Sequence, residues 1–165
     1  MAKWKAYTYL LCGRRGAGKT YEMKRMIRAS EVPKGNRFLI SPTAENDDTL
    51  KPCFDKHNTF LNYSDDVMEH ILDIIKDERK AVDFKFHHRR DRETGEYVVI
   101  KKRKGKKPEY PKYMIVCDDG LGTSALKANS EFSTFFSRHR HYNCELYVAT
   151  QLYKSVPPVI RVNSM

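Results

Sequence analysis

Residues 7–20 read YTYLLCGRRGAGKT, and this stretch decides the fold that we expect the chain to adopt. Residues 7–12 are aromatic, β-branched or apolar over a length typical of a strand. Residues 13–20 match the pattern G-x-x-x-x-G-K-[ST], in which a glycine loop binds phosphate. Apolar residues at helical spacing follow Lys19, which predicts a helix directly after the loop. Because this loop follows a strand and opens a helix, we predict a nucleotide phosphate site here.

The spacing of the glycines and of the lysine has a chemical reason. Glycines let consecutive backbone N–H groups curl around phosphate oxygens without Cβ clashes, and the helix N-terminus adds partial positive charge. Lys19 is expected to reach the β- and γ-phosphates, and the Thr20 hydroxyl to ligate Mg²⁺. The predicted nucleotide-binding residues are Gly13, Arg14, Arg15, Gly16, Ala17, Gly18, Lys19 and Thr20.

Strand-like and helix-like segments alternate along the rest of the chain. Further strands are predicted at residues 37–41, 58–63, 113–117 and 145–149. One helix is predicted after an N-cap at Ser64, with Met68, Ile71, Leu72 and Ile75 on one face. Another helix is predicted before residue 138, with inward-facing Ala125, Ala128, Phe132, Phe135 and Phe136. This alternation predicts an α/β fold of the P-loop NTPase type, with a mostly parallel sheet flanked by helices. At 165 residues the chain is expected to form a single domain, residues 1–165.

Polar side chains follow two of the predicted strands at the points where they end. Asp118 and Asp119 come directly after YMIVC, a continuously apolar run typical of a buried parallel strand. Asp118 is expected to hold Mg²⁺ through water, and Asp119 to activate the attacking water, although many proteins of this class carry the longer Glu there. Gln151 is expected to hydrogen-bond the γ-phosphate or that water, from a strand lying between the other two. The structural alternatives are a simple turn for the two acids and a capped strand end for Gln151.

The charge of the chain is concentrated in one segment. The formal net charge is +10, and residues 85–112 hold eleven Lys or Arg against four acids, a net charge of +7. Such a balance favours a polyanionic partner, most often nucleic acid. Thr94-Gly95 between FKFHHRR and YVVIKKRK predicts a basic hairpin inserted in the domain, with a solvated loop as the alternative.

Several classes of protein are disfavoured by the sequence. No apolar stretch approaches the length that spans a membrane, and the N-terminal apolar segment is too short for a signal peptide. The four cysteines include no CxxC pair, and the His139-to-Cys144 segment lacks a second ligand pair for zinc. Reduced thiols in an intracellular protein are the expected state.

Three stretches together resemble a known family. They are LLCGRRGAGKT at 10–20, MIVCDDG at 114–120 and FFSRHRHYNCELYVATQLYKSVPPVIRVNS at 135–164. In this order they resemble the FtsK–HerA superfamily of DNA-pumping ATPases, and within it the viral genome-packaging ATPases. Residues 42–112 carry no such resemblance.

The resemblance implies an ATP- and Mg²⁺-dependent motor that moves double-stranded DNA. It implies a homo-oligomeric ring, a pentamer or hexamer, in which an arginine from one neighbour completes each ATP site. Arg138 is the first candidate on matching positions, Arg140 the second, and Arg161 a third that is expected to be structural or DNA-facing. It further implies a capsid portal or membrane-vertex partner, in the host cytoplasm or at the viral assembly site.

The resemblance leaves alternatives open. Family members normally continue into another strand after the IRVN segment, so this chain is expected to be a truncated or minimal member. A P-loop small-molecule kinase, with the basic segment as a lid, is the main rival enzyme. A phage assembly or secretion ATPase would share every catalytic residue named above. The remaining alternative is a basic DNA-binding module that binds nucleotide without turnover.

Overall fold

A computed structural model of the chain describes residues 5–90, 97–103, 109–118, 130–151, 153, 156 and 158–164. Its strands are β1 (Thr8–Cys12), β2 (Arg37–Ile40), β3 (Thr59–Phe60), β4 (Phe84–Arg90), β5 (Tyr97–Arg103), β6 (Tyr113–Cys117) and β7 (Cys144–Thr150). Its helices are α1 (Lys19–Ala29), α2 (Asp65–Asp83), α3 (Glu131–Arg138) and α4 (Pro158–Asn163). Short 3-10 turns, among them His139–Tyr142, connect these elements.

Five strands form one all-parallel sheet in the order β1-β7-β6-β2-β3. The predicted α/β fold with a parallel sheet flanked by helices is therefore confirmed, as is the position of β7 between β1 and β6. Because the strands are parallel, all of their carboxyl ends lie at the same edge of the sheet, which we call the carboxyl edge. The third predicted strand is shorter than expected, since residues 58–63 contribute only Thr59–Phe60.

The apolar patterns of the sequence account for the core of this sheet. Every residue of β6 and β7 is buried. The continuous apolar run of β6 predicts this for a central parallel strand, whereas β7 buries Glu145 and Thr150 together with its apolar residues. On α1 the side chains of Met23 and Ile27 are fully buried, and Met26 packs against the same cluster. The predicted N-cap of α2 is confirmed, because the Val67 N–H donates to Ser64 Oγ at 3.3 Å. On α3 the three phenylalanines are buried as predicted, whereas Ala125 and Ala128 lie outside the described residues.

The chain divides into two compact units, one formed by Met1–Ile71 with Lys112–Met165 and the other by Leu72–Pro111. In the second unit β4 and β5 pair antiparallel, which confirms the predicted hairpin. The expected turn at Thr94-Gly95 lies outside the described residues. The Tyr110 hydroxyl donates to Asp83 Oδ1 at 2.7 Å, and the Arg79 guanidinium lies 3.9 Å from the centre of the Tyr110 ring. These contacts join the last turns of α2 to the segment that follows the hairpin.

Three cysteines and one histidine are buried inside the fold, where they pack or form hydrogen bonds within the protein. Cys53, Cys117 and Cys144 are buried free thiols, and burial raises the pKa of Cys117 to about 12, which makes that thiol inert. His139 is also buried, with Nδ1 donating to the Cys144 carbonyl at 2.6 Å and Nε2 3.0 Å from the Thr8 hydroxyl. Its ring therefore links the first residues of β1 and β7.

None of the described helices is both long and apolar enough to cross a membrane.

We predict that His139 makes the stability of the chain depend on pH. Burial is the main cause that lowers the pKa of His139 below its ordinary value of 6.5, so the unfolded chain binds this proton first as the pH falls. The contribution of His139 is therefore complete above about pH 6.5 and is lost progressively below it. Urea unfolding of the wild type and His139→Gln should differ most at pH 7.5 and least at pH 5.5. Groups common to both chains cancel in this comparison, so a difference that does not change with pH would contradict the prediction.

Candidate functional site

The glycine loop (residues 13–20) connects β1 to α1 at the carboxyl edge of the sheet. The Gly13 N–H donates to the Thr150 carbonyl at 3.1 Å, which ties the start of the loop to the end of β7. Gly16 and Gly18 have φ angles of 78° and 79°, in the left-handed region that side chains with a Cβ rarely adopt. Gly18 is also the N-cap residue of α1. The two glycines thus let the loop turn back sharply onto the first turn of the helix.

Lys19 lies across this loop. Its ammonium donates to the carbonyl oxygens of Gly13 at 2.7 Å and Arg14 at 3.2 Å. The positive charge of Lys19 is therefore held beside the backbone that precedes α1. The N–H groups of the first turn of α1 also lack carbonyl partners within the helix, as in every α-helix. An ammonium next to a helix N-terminus is an arrangement that attracts phosphate.

A pocket of about 480 Å³ opens next to the loop. Residues 15–21 line one part of it, so the predicted binding residues Arg15, Gly16, Ala17, Gly18, Lys19 and Thr20 all belong to its wall. Gly13 and Arg14 are not among its lining residues and contribute the carbonyls that hold Lys19. Asp118 and Gln151 line the same pocket, as the sequence analysis expected from their positions after β6 and β7. The pocket therefore gathers residues from the carboxyl ends of three neighbouring strands.

Asp118 is held in place through its backbone. Its N–H donates to the Ile40 carbonyl at 3.0 Å, and its own carbonyl lies 2.9 Å from the Tyr63 hydroxyl. The same hydroxyl lies 2.8 Å from the Ile40 carbonyl, so Tyr63 links the ends of β2 and β6. The Tyr63 ring packs against Phe132, with 5.9 Å between ring centres. Sequence analysis did not identify Tyr63, because a lone tyrosine after a short strand carries no motif.

The donor set in this pocket fits Mg²⁺. This ion usually takes one or two protein oxygens and completes an octahedron with phosphate oxygens and water. The Thr20 hydroxyl and the Asp118 carboxylate line the same pocket and supply such oxygens. No group of three or more His, Cys, Asp or Glu that could hold a metal by itself occurs in the described part of the chain.

Of the two further predicted catalytic residues, Gln151 and Asp119, the structure describes only Gln151. Gln151 is exposed and directly follows Thr150, whose carbonyl is bonded to Gly13, so its backbone is fixed next to the glycine loop. Asp119, the predicted water-activating residue, lies outside the described residues, and its role remains a prediction.

The candidate arginines do not line the pocket of their own chain. Arg138 and Arg140 are exposed and lie just before β7, at its amino end. The pocket lies at the carboxyl end of β7, and a strand of this length measures about 20 Å. Arg161, on α4, lies with its guanidinium 5.5 Å from the centre of the Tyr153 ring. The described fold thus separates both leading arginine candidates from the pocket that they would have to serve within one chain.

Part of the pocket wall was not predicted from the sequence. It is formed by the segment after β2, through Thr43, Asn46, Asp47 and Thr49, and by Tyr21 on α1. The segment has no periodic pattern and lies in residues 42–112, where no family resemblance was found. Its position directly after a parallel strand was the available signal, since the loops at the carboxyl edge form ligand sites in such sheets.

Comparison of the chain with protein-family models, with curated proteins and with solved structures found no match. The residues that line the pocket are therefore the basis for assigning a function.

We predict that Gly18→Ala lowers the free energy of unfolding by about 1–2 kcal/mol, because an L-residue is strained in the left-handed region. Among the residues that the structure describes, nothing lies within 4 Å of the Cβ that alanine would add there, so we attribute the loss to backbone strain. Gly35→Ala is the matched control, since its nearest neighbour is Asp55 Oδ2 at 4.0 Å and its φ is outside that region. Urea unfolding should show a clear loss for Gly18→Ala and little change for Gly35→Ala. Equal losses in both variants would contradict the conformation given for Gly18.

Proposed function

We propose that this chain is an ATP-hydrolysing motor that moves double-stranded DNA, and that it serves to package a viral genome into a capsid. The observation that carries the proposal is the pocket at the carboxyl edge. It brings a cationic glycine loop together with Asp118 and Gln151, which follow the two neighbouring strands. The family resemblance of these same stretches supports the more specific assignment to packaging.

In the proposed reaction, the backbone N–H groups of the glycine loop and the Lys19 ammonium bind the β- and γ-phosphates of ATP. Thr20 and Asp118 hold Mg²⁺, which draws negative charge from the phosphate oxygens when bound. Water attacks the γ-phosphorus as the bond to the β-phosphate oxygen breaks, and Asp119 receives the proton that the water loses. Gln151 hydrogen-bonds the γ-phosphate until the phosphate leaves, and the breaking of this hydrogen bond reports the loss of phosphate to the loops that grip DNA.

The position of the arginines supports an assembled ring. Arg138 and Arg140 lie at the end of β7 opposite to the pocket of their own chain. In a head-to-tail pentamer or hexamer, one of them would reach the pocket of the neighbouring subunit instead. An arginine supplied in this way stabilises the charge of the transition state and is worth about 10³–10⁵ in rate. A monomer would accordingly hydrolyse ATP slowly.

The basic hairpin supports DNA as the partner. The register of β4 and β5 places Lys85 opposite Lys102, and four further Lys or Arg lie on the two strands. Like charges in directly opposed positions destabilise a hairpin, and bound phosphates would remove that cost. A packaging motor must move DNA of any sequence, so contacts to the DNA phosphates would suffice to hold it.

The ring would dock on a capsid portal or a membrane-vertex partner, in the host cytoplasm or at the site of viral assembly.

We expect ATP hydrolysis per subunit to increase with protein concentration and with added double-stranded DNA. The rate should rise with concentration because assembly completes the ATP sites shared between subunits, and with DNA because the basic hairpins bind it. Steady-state phosphate release over a concentration series, with and without DNA, measures both effects. Lys19→Ala should abolish hydrolysis at every concentration, because it removes the charge that binds the β- and γ-phosphates.

Other results would point to the alternatives. A rate per subunit that is flat with concentration and indifferent to DNA would argue against the ring and favour a small-molecule kinase. Tight nucleotide binding without turnover would favour a DNA-binding module. Stimulation by concentration but not by DNA would favour a secretion ATPase.

We also expect the hairpin to contribute to DNA affinity. Lys101→Gln, Lys102→Gln and Arg103→Gln combined should weaken DNA binding and reduce the salt slope of log K by about 0.9 for each phosphate that the hairpin no longer neutralises. The control carries Arg28→Gln, Lys51→Gln and Lys56→Gln, three exposed residues outside the hairpin, and removes the same charge. Fluorescence anisotropy with labelled duplex at several salt concentrations measures the slope. Equal slopes in the two triple variants would mean that the hairpin makes no specific contribution.

A further inference from the structure

The segment after β2 reaches the same pocket as the glycine loop, although β7 and β6 separate β2 from β1 in the sheet. Asp47 is the acidic residue that this segment adds to the pocket wall, beside Lys19, Thr20 and Asp118. The proposed reaction has not used it.

The backbone around Asp47 is fixed on both sides. Ala44 and Leu50 are buried and anchor the two ends of the segment in the core. The Asp47 carbonyl accepts from the Lys51 N–H at 3.2 Å. Asp47 Oδ1 accepts from the N–H groups of Thr49 at 2.8 Å and Leu50 at 3.2 Å. The segment is therefore a preorganised wall, and one oxygen of the Asp47 carboxylate is committed to holding it.

The two oxygens of this carboxylate differ in their contacts. Among the residues that the structure describes, Asp47 Oδ2 has no hydrogen-bond partner, and Asp47 forms no ion pair. The side chain is half-buried in the pocket wall. An uncompensated carboxylate repels phosphate, so in the proposed ATP site its partner is a hydrogen-bond donor. In the proposed hydrolysis, the attacking water supplies such a donor.

We propose that Asp47 is a second catalytic carboxylate, whose Oδ2 accepts a hydrogen bond from the water that attacks the γ-phosphorus. This inference rests on the proposed ATP hydrolysis. Of the two hydrogens of this water, Asp47 holds the one that stays on the phosphate product, and the other leaves as the proton of the proposed reaction. With both hydrogens directed away, an oxygen lone pair faces the phosphorus as the new P–O bond forms and the bond to the β-phosphate oxygen breaks.

The turn and the charge of Asp47 can be tested separately. Asparagine retains Oδ1 and therefore the bonds from Thr49 and Leu50, but it has no negative charge and replaces Oδ2 with a donor. Asp47→Asn should lower kcat on the order of 10²-fold, the smaller end of what proton-handling groups contribute. It should bind ATP as tightly as the wild type or more tightly, because a charge facing the γ-phosphate is removed, and ADP affinity should not change. Asp48→Asn is the matched control, since Asp48 is the adjacent acid, is exposed and does not line the pocket.

The experiment measures ATP hydrolysis of the full chain at high concentration with duplex DNA, together with equilibrium binding of ATP and ADP. A slow Asp47→Asn with unweakened ATP binding, beside an unchanged Asp48→Asn, supports the inference. An Asp47→Asn variant as fast as the wild type overturns it and leaves the proposed function intact. A variant that loses ATP and ADP binding in parallel with rate overturns it in favour of a purely structural role. A wild-type chain that binds ATP but does not hydrolyse it overturns the proposed function, and the inference with it.

Discussion

The parallel pairing of β1 with β7 is the constraint on which the candidate site depends. The ladder runs from Thr8 opposite Leu146 to Cys12 opposite Thr150, and the Gly13 N–H extends it by one bond to the Thr150 carbonyl. This last bond fixes where the chain leaves the sheet and where the glycine loop begins. It also fixes the backbone from which Gln151 continues. A single strand pair therefore positions the cationic wall of the pocket and one of its polar side chains.

Hydrogen bonds at strand ends also position the part of the pocket wall that follows β6. The Tyr63 hydroxyl and the Asp118 N–H both meet the Ile40 carbonyl, so the ends of β2 and β6 are held together. At the opposite edge of the sheet, His139 links the first residues of β1 and β7 and fixes the backbone between Arg138 and Arg140. The sheet thus has a pocket of about 480 Å³ at one edge and an arginine pair at the other. That separation underlies the proposal that neighbouring subunits share a site.

Much of this architecture could be predicted from local patterns. The glycine motif, the continuous apolar run of β6 and the alternation of strands with helices all act over short distances along the chain. They predicted the α/β fold, the position of β7 and the presence of Lys19, Thr20, Asp118 and Gln151 in one pocket. The wall formed by Thr43, Asn46, Asp47 and Thr49 was missed, because a segment built from side-chain and turn hydrogen bonds has no periodicity to detect. Tyr63 was missed because its partners are backbone carbonyls that are 23 and 55 residues distant in sequence.

The sequence by itself determined the chemical groups: a glycine loop that matches a phosphate-binding pattern, carboxylates and an amide at strand ends, and a strongly basic hairpin. These properties depend on residue type and on spacing over a few residues, and both can be read directly from the sequence. Only the tertiary structure decided which of these groups meet. It placed Asp47 in the pocket and the arginines away from it, because parallel strands bring distant loops to one edge and send the connecting helices back to the other.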